Sequence, residues 1–154
     1  MNNTTAEHAA LEYFHRGFNC AQSVFTACAE DVGLSEEMAL KLSAGFGAGV
    51  GRMRGMCGAF SGLTLVAGYC KGNLSGVPED KEIVFSLVRE LAEAFKQEFG
   101  TLTCRELLHL EDEMEASARP NDRTSAYYAN RPCEQCVKFC ANKAKFLLDN
   151  YLSR

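Results

Sequence analysis

Residues 79–99 read EDKEIVFSLVRELAEAFKQEF. Val84, Leu87, Val88, Leu91, Phe95 and Phe99 recur at three- and four-residue intervals. That is the period of a helix with one apolar stripe, and Gly100 is a natural stop. Working back along the chain, residues 73–78 are turn-rich. Residues 59–70 are apolar on nearly every side, as in a buried helix, with Lys71 and Gly72 to end it. Farther back, helical spacing predicts helices over 5–16 and 19–32, with Asn19 as N-cap, and a third after Ser35. Working forward, Thr103 and Glu106 fit a capping box opening a short helix over 104–110. Residues 111–131 keep no period and are expected to form a surface loop, acidic and solvated at 111–115. Pro132 suits the first helical position of a last helix reaching about residue 152. No alternating strand and no solenoid repeat interrupts this pattern. The expectation is all-α: a single-domain multi-helix bundle over residues 1–154, with a glycine-rich loop before a buried central helix.

The 154 residues are enough to bury a core without staples. A formal charge of -4 argues against nucleic-acid binding, which favours a basic surface. The N-terminal residues carry no basic and apolar leader pattern, and no uncharged run reaches the roughly 20 residues of a membrane span. A soluble cytoplasmic protein without membrane insertion is therefore expected. Eight cysteines, against three histidines and no tryptophan, are the unusual feature. In a reducing compartment they point to redox chemistry, metal binding or core packing rather than a disulfide framework.

Position divides the cysteines. Cys20 follows the cap Asn19, Cys57 precedes the buried helix, Cys104 follows Thr103, and Cys133 follows Pro132. Each lies at a predicted helix start, where free N–H groups and the helix dipole stabilise a thiolate. Arg105 and Arg131 stand near two of them and add to the effect. The thiolate is both the nucleophile of disulfide exchange and the form that ligates metal. Cys28, Cys70 and Cys140 fall on apolar helix faces and read as core filling. Cys133-Glu-Gln-Cys136 is a CxxC at a helix start, able to close a disulfide or to give two ligands to one metal.

The run Gly45-Phe-Gly-Ala-Gly-Val-Gly51, followed by Gly55 and Gly58, cannot be an ordinary helix, since each Gly costs about 1 kcal/mol there. It matches neither a P-loop nor a dinucleotide fingerprint. Its N–H groups around Gly49, Gly51 and Gly58, together with Arg52 and Arg54, could hold an anion or cofactor. Close helix packing around Cys57 is the plainer reading of the same glycines.

Five stretches resemble a known family: Phe18-Asn-Cys-Ala-Gln22, the glycine run with Gly51-Arg52, Met56-Cys-Gly-Ala-Phe-Ser-Gly62, Phe99-Gly-Thr-Leu-Thr-Cys-Arg-Glu-Leu-Leu108, and Cys133 with Val137. They resemble the redox-active family named for its C–GCAxxG–C–C cysteine pattern, over nearly the whole chain. Carried over position by position, that family's four cysteines fall on Cys20, Cys57, Cys104 and Cys133, the same four chosen by helix position. The middle motif here reads Cys-Gly-Ala where the family label has Gly-Cys-Ala, and Cys136 and Cys140 are additional thiols. The resemblance implies redox activity.

Three readings stand at this level. The first is thiol–disulfide or electron-transfer chemistry, with Cys57 as the attacking thiolate and Cys20, Cys104 or Cys133 resolving. A redox partner protein or a small-molecule thiol would then be the partner. The second is a zinc or iron–sulfur module on Cys20, Cys57, Cys104, Cys133 and Cys136. The third is a structural helical interaction domain, for which the glycine-lined buried helix could serve a homodimer.

Overall fold

Caps set where the helices begin. In the computed structural model, which describes residues 5–110 and 117–152, helix α1 spans Ala6–His15 behind Thr5, whose hydroxyl accepts from the His8 N–H at 3.1 Å. Helix α2, Cys20–Thr26, starts at a complete capping box: Asn19 accepts from the Gln22 N–H, and Gln22 accepts from the Asn19 N–H. Helix α3, Glu36–Ser43, starts behind Ser35 and runs into a single 3-10 turn, Ala44–Phe46. Helix α4 spans Gly58–Lys71, α5 Pro78–Phe99, α6 Cys104–Leu107, α7 Ser125–Ala129 and α8 Cys133–Leu152. The chain is all-α: among the described residues only an isolated bridge, Met56 with Thr103, has strand character. No helix among them is long and apolar enough to cross a membrane.

Several boundaries differ from the sequence reading. The helix expected over 19–32 leaves α geometry after Thr26. Cys28, Ala29 and Gly33 donate to carbonyls three residues back, at 3.0, 3.1 and 3.1 Å. These tightened turns still bury Cys28, Ala29 and Val32, so the apolar spacing survives while the hydrogen bonding shifts. The capping box expected at Thr103 and Glu106 is not formed. Thr103 gives its N–H to Thr101 Oγ1 at 3.1 Å, leaving Glu106 nothing to cap. Helix α6 is also shorter than expected, ending before His109, which takes a left-handed φ of 55°. Pro132 stands one step before α8 and accepts from the Cys136 N–H at 3.0 Å, rather than opening the helix itself. Helix α7 was not expected. The acidic stretch at 111–115 lies outside the described residues.

Helix α4 is the central element, as its composition predicted. Ala59, Phe60, Leu63, Val66 and Ala67 are fully buried, and α4 packs on α2, α5 and α8. Helix α1 packs on α8 and α2. The α5 stripe meets this core through Val84, Leu91 and Phe95, with Leu87, Val88 and Phe99 half-buried beside it. Edge-to-face rings join three helices: Phe60 to Phe95 at 5.8 Å, and Phe139 to Phe95 and Phe99 at 5.8 and 5.6 Å. Cys28, Cys70 and Cys140 fill this core as expected. Burial raises all three thiol pKa values, that of Cys28 to about 12.

Candidate functional site

Four helix starts converge on one place, and the glycine run makes this convergence possible. Ala48, Gly49, Val50, Gly51 and Arg52 all take left-handed φ values between 53° and 74°, and Arg54 follows at 60°. Each non-glycine residue held there costs about 1–2 kcal/mol. For the β-branched Val50 it is a genuine outlier. The loop is held by its own hydrogen bonds: Gly51 N–H to Gly45 O at 2.8 Å, Arg54 N–H to Ala48 O at 3.2 Å, and Gly55 N–H to Gly49 O at 2.8 Å. It delivers residues 54–57 alongside 102–105. There Cys57 N–H reaches Leu102 O at 2.8 Å and Cys104 N–H reaches Gly55 O at 2.6 Å. Cys57 and Cys104, distant in sequence, thereby become neighbours.

Close backbone approach brings in the third cysteine. A Cβ on Gly58 would lie 3.3 Å from the Cys20 Cβ and 3.3 Å from the Ala21 nitrogen; one on Gly62 would lie 2.9 Å from the Ala21 carbonyl. Only glycine lets the first turn of α4 rest on that of α2. The α2 start is itself anchored: Asn19 donates to Ala44 O at 3.0 Å and Gln22 to Leu40 O at 3.1 Å. The start of α8 then adds Cys133 and Cys136.

The five thiols line one cavity of about 550 Å³ with Arg52, Arg54, Arg123, Arg131, Tyr127 and Asn121. All eight cysteines of the chain are free thiols. Four of the five cavity thiols stand as two pairs, Cys20 with Cys133 and Cys57 with Cys136, each shifting its neighbour's pKa. Cys133 is the more acidic thiol of its pair. The hydrogen bond from Cys20 lowers its pKa to about 7 against the opposing effect of burial, and the charges of Arg131, Arg123 and Arg54 assist. Cys20 is pushed well up by the same bond and by burial. In the second pair, the Cys136 thiol donates to Cys57 and lowers its pKa, helped by the N–H groups of Phe60 and Ala59 in the first turn of α4. Cys136 is raised correspondingly. Cys104 lies 3.7 Å from Arg54 Nη1, yet burial outweighs that contact and its pKa is raised. The two thiolate carriers differ in access: Cys57 is buried at 5 % exposure, whereas Cys133 is half-buried.

The structure thus brings together Cys20, Cys57, Cys104, Cys133 and Cys136. Gly51, Arg52 and Gly58 also border the cavity, whereas Gly49 does not. The N–H groups of residues 50–55 all donate to carbonyls of the same loop, so an anion held by them would have to displace those bonds. Thiolates suit zinc or an iron–sulfur cluster chemically. Among the described residues, however, no three His, Cys, Asp or Glu side chains are arranged to hold a metal ion. Four of the five thiols are paired with one another, and Cys104 lies against Arg54. Arg123 and Tyr127 were missed by sequence reasoning. Arg123 donates to Phe14 O at 3.1 Å and Phe18 O at 3.0 Å, and it stacks on Phe14 and Tyr127. An arginine beside aromatic residues was the only signal available for it.

A family model described as "Putative redox-active protein (C_GCAxxG_C_C)" matches residues 18–147. No curated protein and no solved structure matches the chain. The match spans most of the sequence, and the chain belongs to that family.

Proposed function

We propose that this member of the redox-active family performs thiol–disulfide exchange, with Cys133 as the attacking thiolate and Cys20 as the resolving thiol. One observation carries the reading: Cys133 is half-buried in an arginine-lined cavity, where interaction with Cys20 and the charges of Arg131, Arg123 and Arg54 draw its pKa to about 7. An attacking thiol reacts best when its pKa lies near the ambient pH, because thiolate fraction and intrinsic nucleophilicity are then balanced.

The oxidant is a disulfide, RS–SR. Cys133 Sγ attacks one sulfur, forms a mixed disulfide, and expels RS⁻, which takes a proton from solvent. Cys20 then gives its proton to solvent and attacks Cys133 Sγ, expelling the second RS⁻. The second RS⁻ also takes a proton from solvent, so the protein loses two electrons and the Cys20 proton, solvent supplies one further proton, and the substrate becomes two thiols. Cys57, its pKa lowered, and Cys136, its pKa raised, form a second pair in the same cavity. Cys136 lies one turn from Cys133 on α8, so this pair is placed to exchange with the first. Exposure of the reduced full chain to one equivalent of bis(2-hydroxyethyl) disulfide tests the reading. Free thiols are expected to fall from eight to six with release of two equivalents of mercaptoethanol. A count that stays at eight overturns it.

A further inference from the structure

The chain carries 20 acidic and 16 basic residues, yet among the described residues its cysteine cavity is lined by basic side chains and by no acidic one. Four arginines line it, and no Asp or Glu does among the described residues. Arg123 and Arg131 are the informative pair. Arg123 spends its donors on the neutral carbonyls of Phe14 and Phe18, and Arg131 stacks on the Tyr127 ring with its guanidinium carbon 4.1 Å from the centroid. Among the described residues, neither is matched with a carboxylate. Drawing cations partly out of water is costly unless a negative group faces them, and a concave site lined by one sign of charge concentrates ligands of the other. The volume, about 550 Å³, is that of a small-molecule site rather than a flat docking face.

We infer that the cavity takes a small anionic disulfide, the oxidised form of a carboxylate-bearing low-molecular-weight thiol, with Arg123 and Arg131 holding its carboxylates while its sulfur meets Cys133. This rests on the exchange reading above and adds the class of substrate. The bond changes are those already given, with the carboxylates unaltered.

Three disulfides of similar length test it on the reduced full chain: 3,3′-dithiodipropionate as the dianion, bis(2-hydroxyethyl) disulfide as the neutral form and cystamine as the dication. Each rate is divided by the rate of the same disulfide with a neutral small thiol. The dianion is expected to exceed the neutral disulfide by about tenfold on this scale and the dication to fall below it. High salt should shrink the ratio. Arg131→Gln should lower the dianion-to-neutral ratio severalfold, and Arg131→Lys should restore most of it. If the guanidinium groups served only the Cys133 thiolate, Arg131→Gln would slow all three alike and leave the ratio unchanged, which overturns the inference. Equal normalised rates for dianion and neutral disulfide overturn it too, while leaving the exchange reading intact. If none of the three oxidises the protein, the exchange reading fails and this one with it.

Discussion

Cys133 differs from a surface cysteine by a donor at its sulfur and by nearby positive charge. As pH falls through about 7, its thiolate takes up a proton and its nucleophilicity is lost; above that it is fully available. Alkylation of Cys133 by iodoacetamide, followed peptide by peptide, is therefore predicted to rise with a midpoint near 7. Cys20→Ala removes the hydrogen bond that contributes most to this shift, so the midpoint should move upward, toward the free value of about 8.5. A midpoint already at that free value in the unaltered chain would contradict the assignment. Cys28, pushed up to about 12 by burial, should remain unlabelled across the same range. The helix starts were legible in the sequence, Asn19 through a capping box that forms and Thr103 and Pro132 by position alone, one residue before Cys104 and Cys133. The pairing was not. Which thiol touches which depends on α2, α4 and α8 meeting, and no local spacing encodes that. Cys57 read as the attacking group because it sits among glycines; at 5 % exposure it is less accessible than Cys133, the proposed attacking group.

At the scale of elements, the contact of α2 with α4 decides whether Cys20 reaches the cavity. A Cβ at Gly62 meets the Ala21 carbonyl at 2.9 Å and Val24 Cβ at 3.0 Å, both on a packed helix. Gly62→Ala is predicted to destabilise the fold by about 1–3 kcal/mol, as overpacking does. It should also weaken the Cys20–Cys133 contact, which an upward shift of the Cys133 labelling midpoint would report. Gly68 lies on the same helix with nothing within 4 Å of its added Cβ. Gly68→Ala should stabilise by about 0.5–1 kcal/mol. Denaturant midpoints of the two variants check both signs, and equal effects would contradict the packing argument. The helices themselves were readable from their 3.6-residue stripes, α5 most plainly. Helix α7 and the Arg123 contacts were not. Residues 117–131 carry no apolar period: Tyr127 and Tyr128 alone pack on the core, and the segment brings two guanidinium groups to the cavity.

At the scale of the whole molecule, the first thiol pair joins α2, near the start of the chain, to α8, near its end. A bridge between Cys20 and Cys133 would close a loop containing most of the chain. Such a link raises stability chiefly by restricting the unfolded state, by about 4–5 kcal/mol for a loop of that length. The oxidised protein is therefore predicted to unfold at a clearly higher denaturant concentration than the reduced one. Coincident transitions would argue that the bridge lies elsewhere or is absent. The all-α class and the buried central helix were legible because the apolar spacing is helical along the chain and residues 59–70 are apolar on nearly every side. The left-handed loop over residues 48–54 was readable only as something other than helix. Its path is fixed by hydrogen bonds to its own carbonyls and to residues 102–105.

The most direct test is a disulfide map. The reduced full chain is oxidised with one equivalent of a small disulfide, quenched in acid, digested and read by mass spectrometry. The account predicts that the first bridge joins Cys20 to Cys133, with Cys57–Cys136 next as oxidant is increased. A first bridge involving Cys28, Cys70 or Cys140, or no bridge at all, would contradict it.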